Sequence, residues 1–258
     1  MKKIITYLFV LMLMPFSTLA TEHAPPSGRE LAQRVHDRDV GQDSQSRVVM
    51  ELISPGSQRR VREMTMLTKE DGPIRKSFIR FTAPADIRGT GFLSIEDGRG
   101  STEQFIFLPA LNRTRRIAAS QKGRSFVNTD FTYEDMERRP VDESEHQLAG
   151  SEDLEGVAVW ILESRPKPDS DSLYGLLRIW VAQELDVPLK IDYFDKQDQH
   201  IKQYRVLRLE DIQGIWTETE VVMEDLTSGH STILATKEIE YNLGLADSLF
   251  TQQNLERW

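Results

Sequence analysis

The chain reads as a mainly β protein with short helices, built on an antiparallel sheet of about eleven strands curved into a partial barrel. Three observations predict this class. Runs of β-branched and aromatic residues recur at even spacing, Gly, Asp and Pro turn signals separate them, and only one stretch carries a helical period. Eleven strands exceed what one flat open sheet carries without curling, so strong curvature follows.

The elements follow in order. After the polar lead "TEHAPPSG", Ser27 is placed to cap a helix through "GRELAQRVHDRD", with Leu31, Ala32 and Val35 on one face. Strands are expected at 46–53, 59–68, 75–81, 90–96 and 103–109. "SPGS", "EDGP" and "EDGRGS" turn the chain between them, the last with an Asp97-Gly98 pair suited to a tight hairpin. The second half repeats the pattern at 156–166, 173–183, 188–195, 200–210, 215–225 and 231–241. Large groups often occupy both faces of a strand, as where Trp160 opposes Val159 and Ile161, so neither face is expected to be simply wet.

The N-terminus begins Met1-Lys2-Lys3, continues through the apolar run "IITYLFVLMLMPF" and reaches Thr18 and Ala20 at positions suited to cleavage. Residues 1–20 are therefore read as a secretory signal peptide and 21–258 as one exported domain. The expected location is the periplasm, without a lipid anchor, because Thr21 rather than cysteine would follow the cleavage point. The chain has no cysteine, which excludes disulfides, thiolate metal sites and cysteine nucleophiles. Its net charge of -9 disfavours nucleic acid as a partner.

Catalytic and cofactor motifs are missing. No Gly-x-Ser-x-Gly elbow, phosphate loop or His-Glu-x-x-His helix occurs, and "GTGFLS" at 89–94 opens a strand without the third glycine of a dinucleotide fingerprint. The five histidines stand singly, so no metal and no cofactor is expected. "DRDVGQDSQS" lacks calcium-loop spacing and reads as a solvated loop. Two local features stand apart. One is a basic cluster with Arg113, Arg115 and Arg116, read either as an exposed loop or as a contact to lipid headgroups or an acidic partner. The other is "GRSFVNTDFTYEDMERRP", 123–140, whose acids Asp130, Glu134 and Asp135 pose the choice between acid-base chemistry and a structural clasp. Neighbours on one loop rarely span a cleft as paired catalytic carboxylates must, which favours the clasp. Phe126 and Phe131 should then pack on the sheet while Asp130 and Asp135 accept from backbone amides or from Arg115 or Arg116.

The segments "FTAPADIRGTGFLSIED" (81–97), "QFIFLPALNRTRRI" (104–117), "SFVNTDFTYEDM" (125–136) and "NLGLADSLFTQQNL" (242–255) resemble the outer-membrane lipoprotein-sorting proteins. These are the LolA/LolB-like periplasmic carriers, and the likeness is strongest to the subgroup linked to RND-type exporters. The resemblance implies an unclosed barrel whose helices lid the concave face. It implies a non-enzymatic, monomeric carrier that binds acyl chains of a lipid or lipoprotein and is loaded by an inner-membrane transporter. Burial of each methylene is worth about 0.8 kcal/mol, so an acyl chain needs an apolar cavity to cross water. Candidate walls are Met50, Met64, Met66, Phe78, Phe92, Phe105 and Phe107 from the early strands and Trp160, Leu177, Ile179 and Tyr193 from the later ones. The alternative is a regulatory module that binds a partner protein in envelope-stress signalling.

Overall fold

The computed structural model describes residues 25–257, so the signal-peptide expectation falls outside the described residues. Helix α1, Gly28–His36, begins at Ser27 as predicted. Ser27 Oγ accepts from the Glu30 amide at 3.2 Å, and the Glu30 carboxylate accepts from the Ser27 amide at 2.8 Å. This reciprocal box satisfies two donors that a helix start leaves open. Leu31 and Ala32 turn inward, and a Cβ on Gly28 would lie 2.6 Å from the backbone of Gln147, so only glycine lets the helix dock this closely.

The strands are β1 (Asp43–Ile53), β2 (Arg59–Asp71), β3 (Ile74–Ala83), β4 (Gly91–Glu96), β5 (Thr102–Leu108) and β6 (Arg113–Arg116) in the first half. The second half holds β7 (Ser144–Leu154), β8 (Val157–Pro166), β9 (Leu176–Ala182), β10 (Pro188–Phe194), β11 (His200–Ile212), β12 (Ile215–Asp225) and β13 (Ser231–Tyr241), followed by helix α2 (Gln252–Leu255). All thirteen form one antiparallel sheet that does not close into a barrel, in the order β6-β5-β4-β3-β2-β1-β13-β12-β11-β10-β9-β8-β7. The first half grows outward from β1 to the edge at β6, and the second grows inward from the edge at β7 until β13 pairs with β1.

Two strands beyond the expected eleven, β6 and β7, are the two edges. Their sequences, "RTRR" and "SEHQLAGSEDL", are polar because an unpaired edge is kept from pairing with other chains by charge. The Asp97-Gly98 turn is a five-residue loop, 97–101, and not a two-residue hairpin. Asp97 Oδ1 accepts from the amides of Arg99 at 2.8 Å and Ser101 at 3.0 Å, organising the loop through the aspartate itself.

Alternation along the strands divides the apolar residues between two faces. The inner face carries Val48, Met50, Met64, Ile79, Phe92, Leu177, Tyr193 and Met223, which form one core with Phe126, Phe131 and Tyr133. The outer face of the first half carries Leu67, Phe78, Leu93, Phe105 and Phe107 beneath Phe250 and Leu255 of the C-terminal segment. Polar ties hold that segment down: Arg80 donates to the carbonyl of Leu255 at 2.7 Å, Lys69 donates to the carbonyl of Leu245 at 2.8 Å, and the Asp43 carboxylate accepts from the amides of Leu243 and Leu245. This tail is the fourth stretch of family resemblance, and its role is to seal one outer face. Helix α1 packs instead on β7 and β8, where Leu31 and Ala32 meet Val141, Leu162 and Val181.

Candidate functional site

Residues 117–143 connect the two free edges of the sheet, from the end of β6 to the start of β7, and the aromatic side chains of this strap enter the inner core. Phe126 stacks edge-on to Phe92 at a centroid distance of 5.0 Å and to Tyr133 at 5.8 Å. Polar contacts fasten the strap to both halves. On the first half, Arg62 donates to the Val127 carbonyl at 2.7 Å, Gln104 donates to the Tyr133 carbonyl at 2.8 Å, and Arg138 donates to Glu96 at 3.2 Å.

On the second half the strap's acids find their partners. The Thr232 hydroxyl of β13 donates to Asp130 at 2.6 Å, and Glu134 accepts from the Ser172 hydroxyl at 2.6 Å and the Leu173 amide at 2.8 Å. Asp135 accepts from the Thr132 amide at 2.7 Å, the Tyr174 hydroxyl at 2.8 Å and the Lys202 ammonium of β11, with Arg139 at 3.4 Å. Burial works against the Asp135 carboxylate, but Lys202 and Arg139 outweigh it and hold its pKa below the ordinary value. Burial also pushes the Tyr174 and Tyr193 hydroxyls up, which keeps Tyr174 protonated as the donor to Asp135, and both rings lie beneath Arg139. The clasp expectation for 123–140 therefore matches the contacts, with one correction. The Thr132 amide is the backbone donor expected for Asp135, while the side-chain partners of Asp130 and Asp135 are Thr232, Thr132, Tyr174, Lys202 and Arg139 and not Arg115 or Arg116, because β6 lies on the far edge from the half these acids engage.

Between strap, helix and sheet lies a cavity of about 410 Å³. Its floor comes from two cross-strand rows. Met66, Ile79 and Phe92 stand directly opposite one another across β2, β3 and β4, while Leu162, Ile179 and Ile191 do so across β8, β9 and β10. Val35 of α1 and Met136 and Val141 of the strap supply further walls. The rim holds Arg38, Arg75, Arg138 and Arg139, paired respectively with Glu218 at 2.8 Å, Glu70 at 3.3 Å, Glu96 at 3.2 Å and Asp135 at 3.4 Å. Glu137 also borders the cavity, and burial pushes its carboxyl up while the Lys122 ammonium at 3.0 Å pulls it back.

The structure sorts the candidate wall residues. Met66, Phe92, Leu177 and Ile179 line the cavity. Met50, Met64 and Tyr193 lie in the core on the same face. Trp160 packs with the α1 cluster, and Phe78, Phe105 and Phe107 lie on the outer face under the C-terminal segment. Arg113 and Arg115 are exposed on the β6 edge, and Arg115 continues the inner-face row opposite Ile106; Arg116 alternates to the other face and pairs with Glu103 at 2.7 Å. Ile79, Leu162 and Ile191 escape sequence reading, although each sits directly across a ladder from a chosen residue; strand register was the missing signal. Among the described residues no cluster of His, Asp and Glu is arranged to hold a metal ion, and no helix is long and apolar enough to cross a membrane.

A family model described as "Uncharacterized protein" matches residues 74–257. No curated protein matches the chain significantly. Among solved structures, a DUF1329 family protein from Desulfovibrio piger is 33% identical, with 88% of this chain and 97% of that chain covered and a TM-score of 0.84. A domain from Vibrio parahaemolyticus, provisionally assigned as an outer membrane lipoprotein-sorting protein, is 28% identical over 89% of this chain and 98% of that chain, also at 0.84. A LolA superfamily protein from Nitrosomonas europaea, 21% identical over 89% of this chain and 100% of that chain, shares the fold at a TM-score of 0.69.

Proposed function

This chain belongs to the DUF1329 family and is LolA-like, and from that premise we propose that it carries the acyl chains of a lipid or lipoprotein between membranes. The observation that carries the reading is the apolar cavity of about 410 Å³ held between the Met66 row, the Ile179 row and the strap. That volume falls in the range of small-molecule sites, and each methylene placed there leaves water with a gain of about 0.8 kcal/mol. The committed carboxylates of the strap support a binding role over catalysis. Residues 21–258 act as one monomeric, non-enzymatic unit in the periplasm after removal of residues 1–20. An RND-type inner-membrane transporter loads it, and Arg113 and Arg115 meet the anionic membrane surface during exchange.

The test is the cargo. Protein purified from native membranes and periplasm should release an acyl-bearing lipid detectable by mass spectrometry, and it should speed lipid transfer between liposomes. An empty protein that also fails to transfer lipid overturns the reading.

A further inference from the structure

The inner face of β2, β3 and β4 changes character along the strands. Beyond the apolar row of Met66, Ile79 and Phe92 stands a hydroxyl row, in which Ser77 faces Thr68 on one side and Ser94 on the other, and beyond that Arg75 faces Glu70. Alternate residues on a strand lie about 6.7 Å apart, so Arg75 sits about 13 Å from Ile79 along β3. Arg75, Ser77 and Ile79 all line the cavity.

Arg75 is the rim cation with open donors. Its Nε lies 3.3 Å from Glu70 Oε1, but that oxygen accepts no hydrogen bond, and the guanidinium has no acceptor among the described residues. Arg38, Arg138 and Arg139 differ, since each donates to a carboxylate. The acids beside Arg75 are turned to Arg138, which donates to Glu96 at 3.2 Å and to Glu70 Oε2 at 3.3 Å. The Arg75 side chain remains 29% exposed. Burial, chiefly, lowers its pKa, and Glu70 and Glu96 offset that only in part. A guanidinium drawn from water without hydrogen bonds costs free energy until an acceptor meets it. In the hydroxyl row Thr68 bonds Ser44 at 2.7 Å, while the Ser77 hydroxyl has no partner among the described residues.

We infer that the polar end of the cargo is an anion, a carboxylate or a phosphate, seated on the Arg75 guanidinium with the Ser77 hydroxyl as a further donor. This rests on the chain-carrier reading and adds the class of headgroup. The planar fork of a guanidinium matches the paired oxygens of either group, and charge strengthens the hydrogen bonds. An ammonium head placed there meets a cation, and Glu70 Oε1 is shielded from solvent, so it offers that head no acceptor.

The experiment compares decanoate and decyl phosphate with decanol and decylamine, which share one chain and differ in the head. Each is tested, below the concentration at which it forms micelles, for displacement of a solvatochromic fluorophore from the cavity at pH 7.5. At least one anion should displace the probe at concentrations lower than decanol by about tenfold or more, and decylamine should be the weakest. A lead by decanoate identifies a fatty-acid head, and a lead by decyl phosphate a phospholipid head. Arg75→Met keeps the stem and removes the charge, so it should bring the anion to the level of decanol while leaving decanol little changed. Ser77→Ala should weaken the anion severalfold in a protein that melts as the wild type does. Anions no tighter than decanol, or an anion preference that survives Arg75→Met, overturn the headgroup inference and leave the carrier reading standing. Failure of all four to displace the probe overturns both.

Discussion

Asp135 of the strap and Lys202 of β11, 67 residues apart in sequence, form an ion pair whose side chains are only 2% and 8% exposed. Tyr174 and Tyr193 flank it, with the Lys202 ammonium 5.1 and 5.0 Å from their ring centroids. The pair joins the connection between the sheet's two edges to the interior of its second half. Removing one member strands the other charge in a dry site. Asp135→Ala should therefore cost about 3–5 kcal/mol in urea unfolding. The double replacement Asp135→Leu with Lys202→Met should recover much of that loss, and a double variant no more stable than the single one would show that the pair is not the fastener.

Acid should weaken the fold in two stages. Burial, chiefly, depresses the His146 pKa below its ordinary 6.5, and the ring bonds Ser164 at 2.8 Å and the Val141 carbonyl at 2.9 Å. The unfolded chain then takes up that proton first, so stability present above about pH 6.5 falls as the pH drops below it. Asp135 is depressed in the same sense, so its contribution holds above the ordinary carboxylate value of 3.8 and is lost as the pH falls through its lower folded value. Melting temperature against pH should show both declines, and His146→Gln should flatten only the one nearer neutrality.

The two faces should separate in mutagenesis. Leu255 is fully buried on the outer face, and Leu255→Ala should cost about 2–5 kcal/mol while leaving chain binding unchanged. Ile179→Trp places bulk in the cavity and should abolish binding of a solvatochromic fluorophore there in a protein that still melts cooperatively.

Reversing the charge of the β6 edge tests the membrane contact. Arg113→Glu with Arg115→Glu should sharply reduce binding to vesicles rich in anionic lipid, and raised salt should weaken the wild-type binding in the same direction. Both residues are exposed, so stability should change by no more than about 0.5 kcal/mol.

The strands with apolar alternation, the Ser27 cap and the clasp at 123–140 were legible because each carries a local signature. The edges were not, since β6 and β7 are polar for the very reason that they are edges. Assignment of faces also lay beyond the sequence. Phe105 and Ile106 are equally apolar neighbours, yet one lies under the C-terminal segment and the other in the inner core, and only the register with Phe92 and Leu93 separates them.

The seam where β13 meets β1 sets an order on biogenesis. Ser44 pairs with Tyr241 and Ile53 with Ser231, so one whole side of β1 has no neighbour until nearly the entire chain has been delivered. A polypeptide made from its N-terminus holds β1 to β6 as a half-built sheet through that interval, with an open strand margin and an uncovered apolar surface. Both invite aggregation. The wait scales with translation time, so the half-built sheet is the stage of synthesis at which this chain is most open to mispairing.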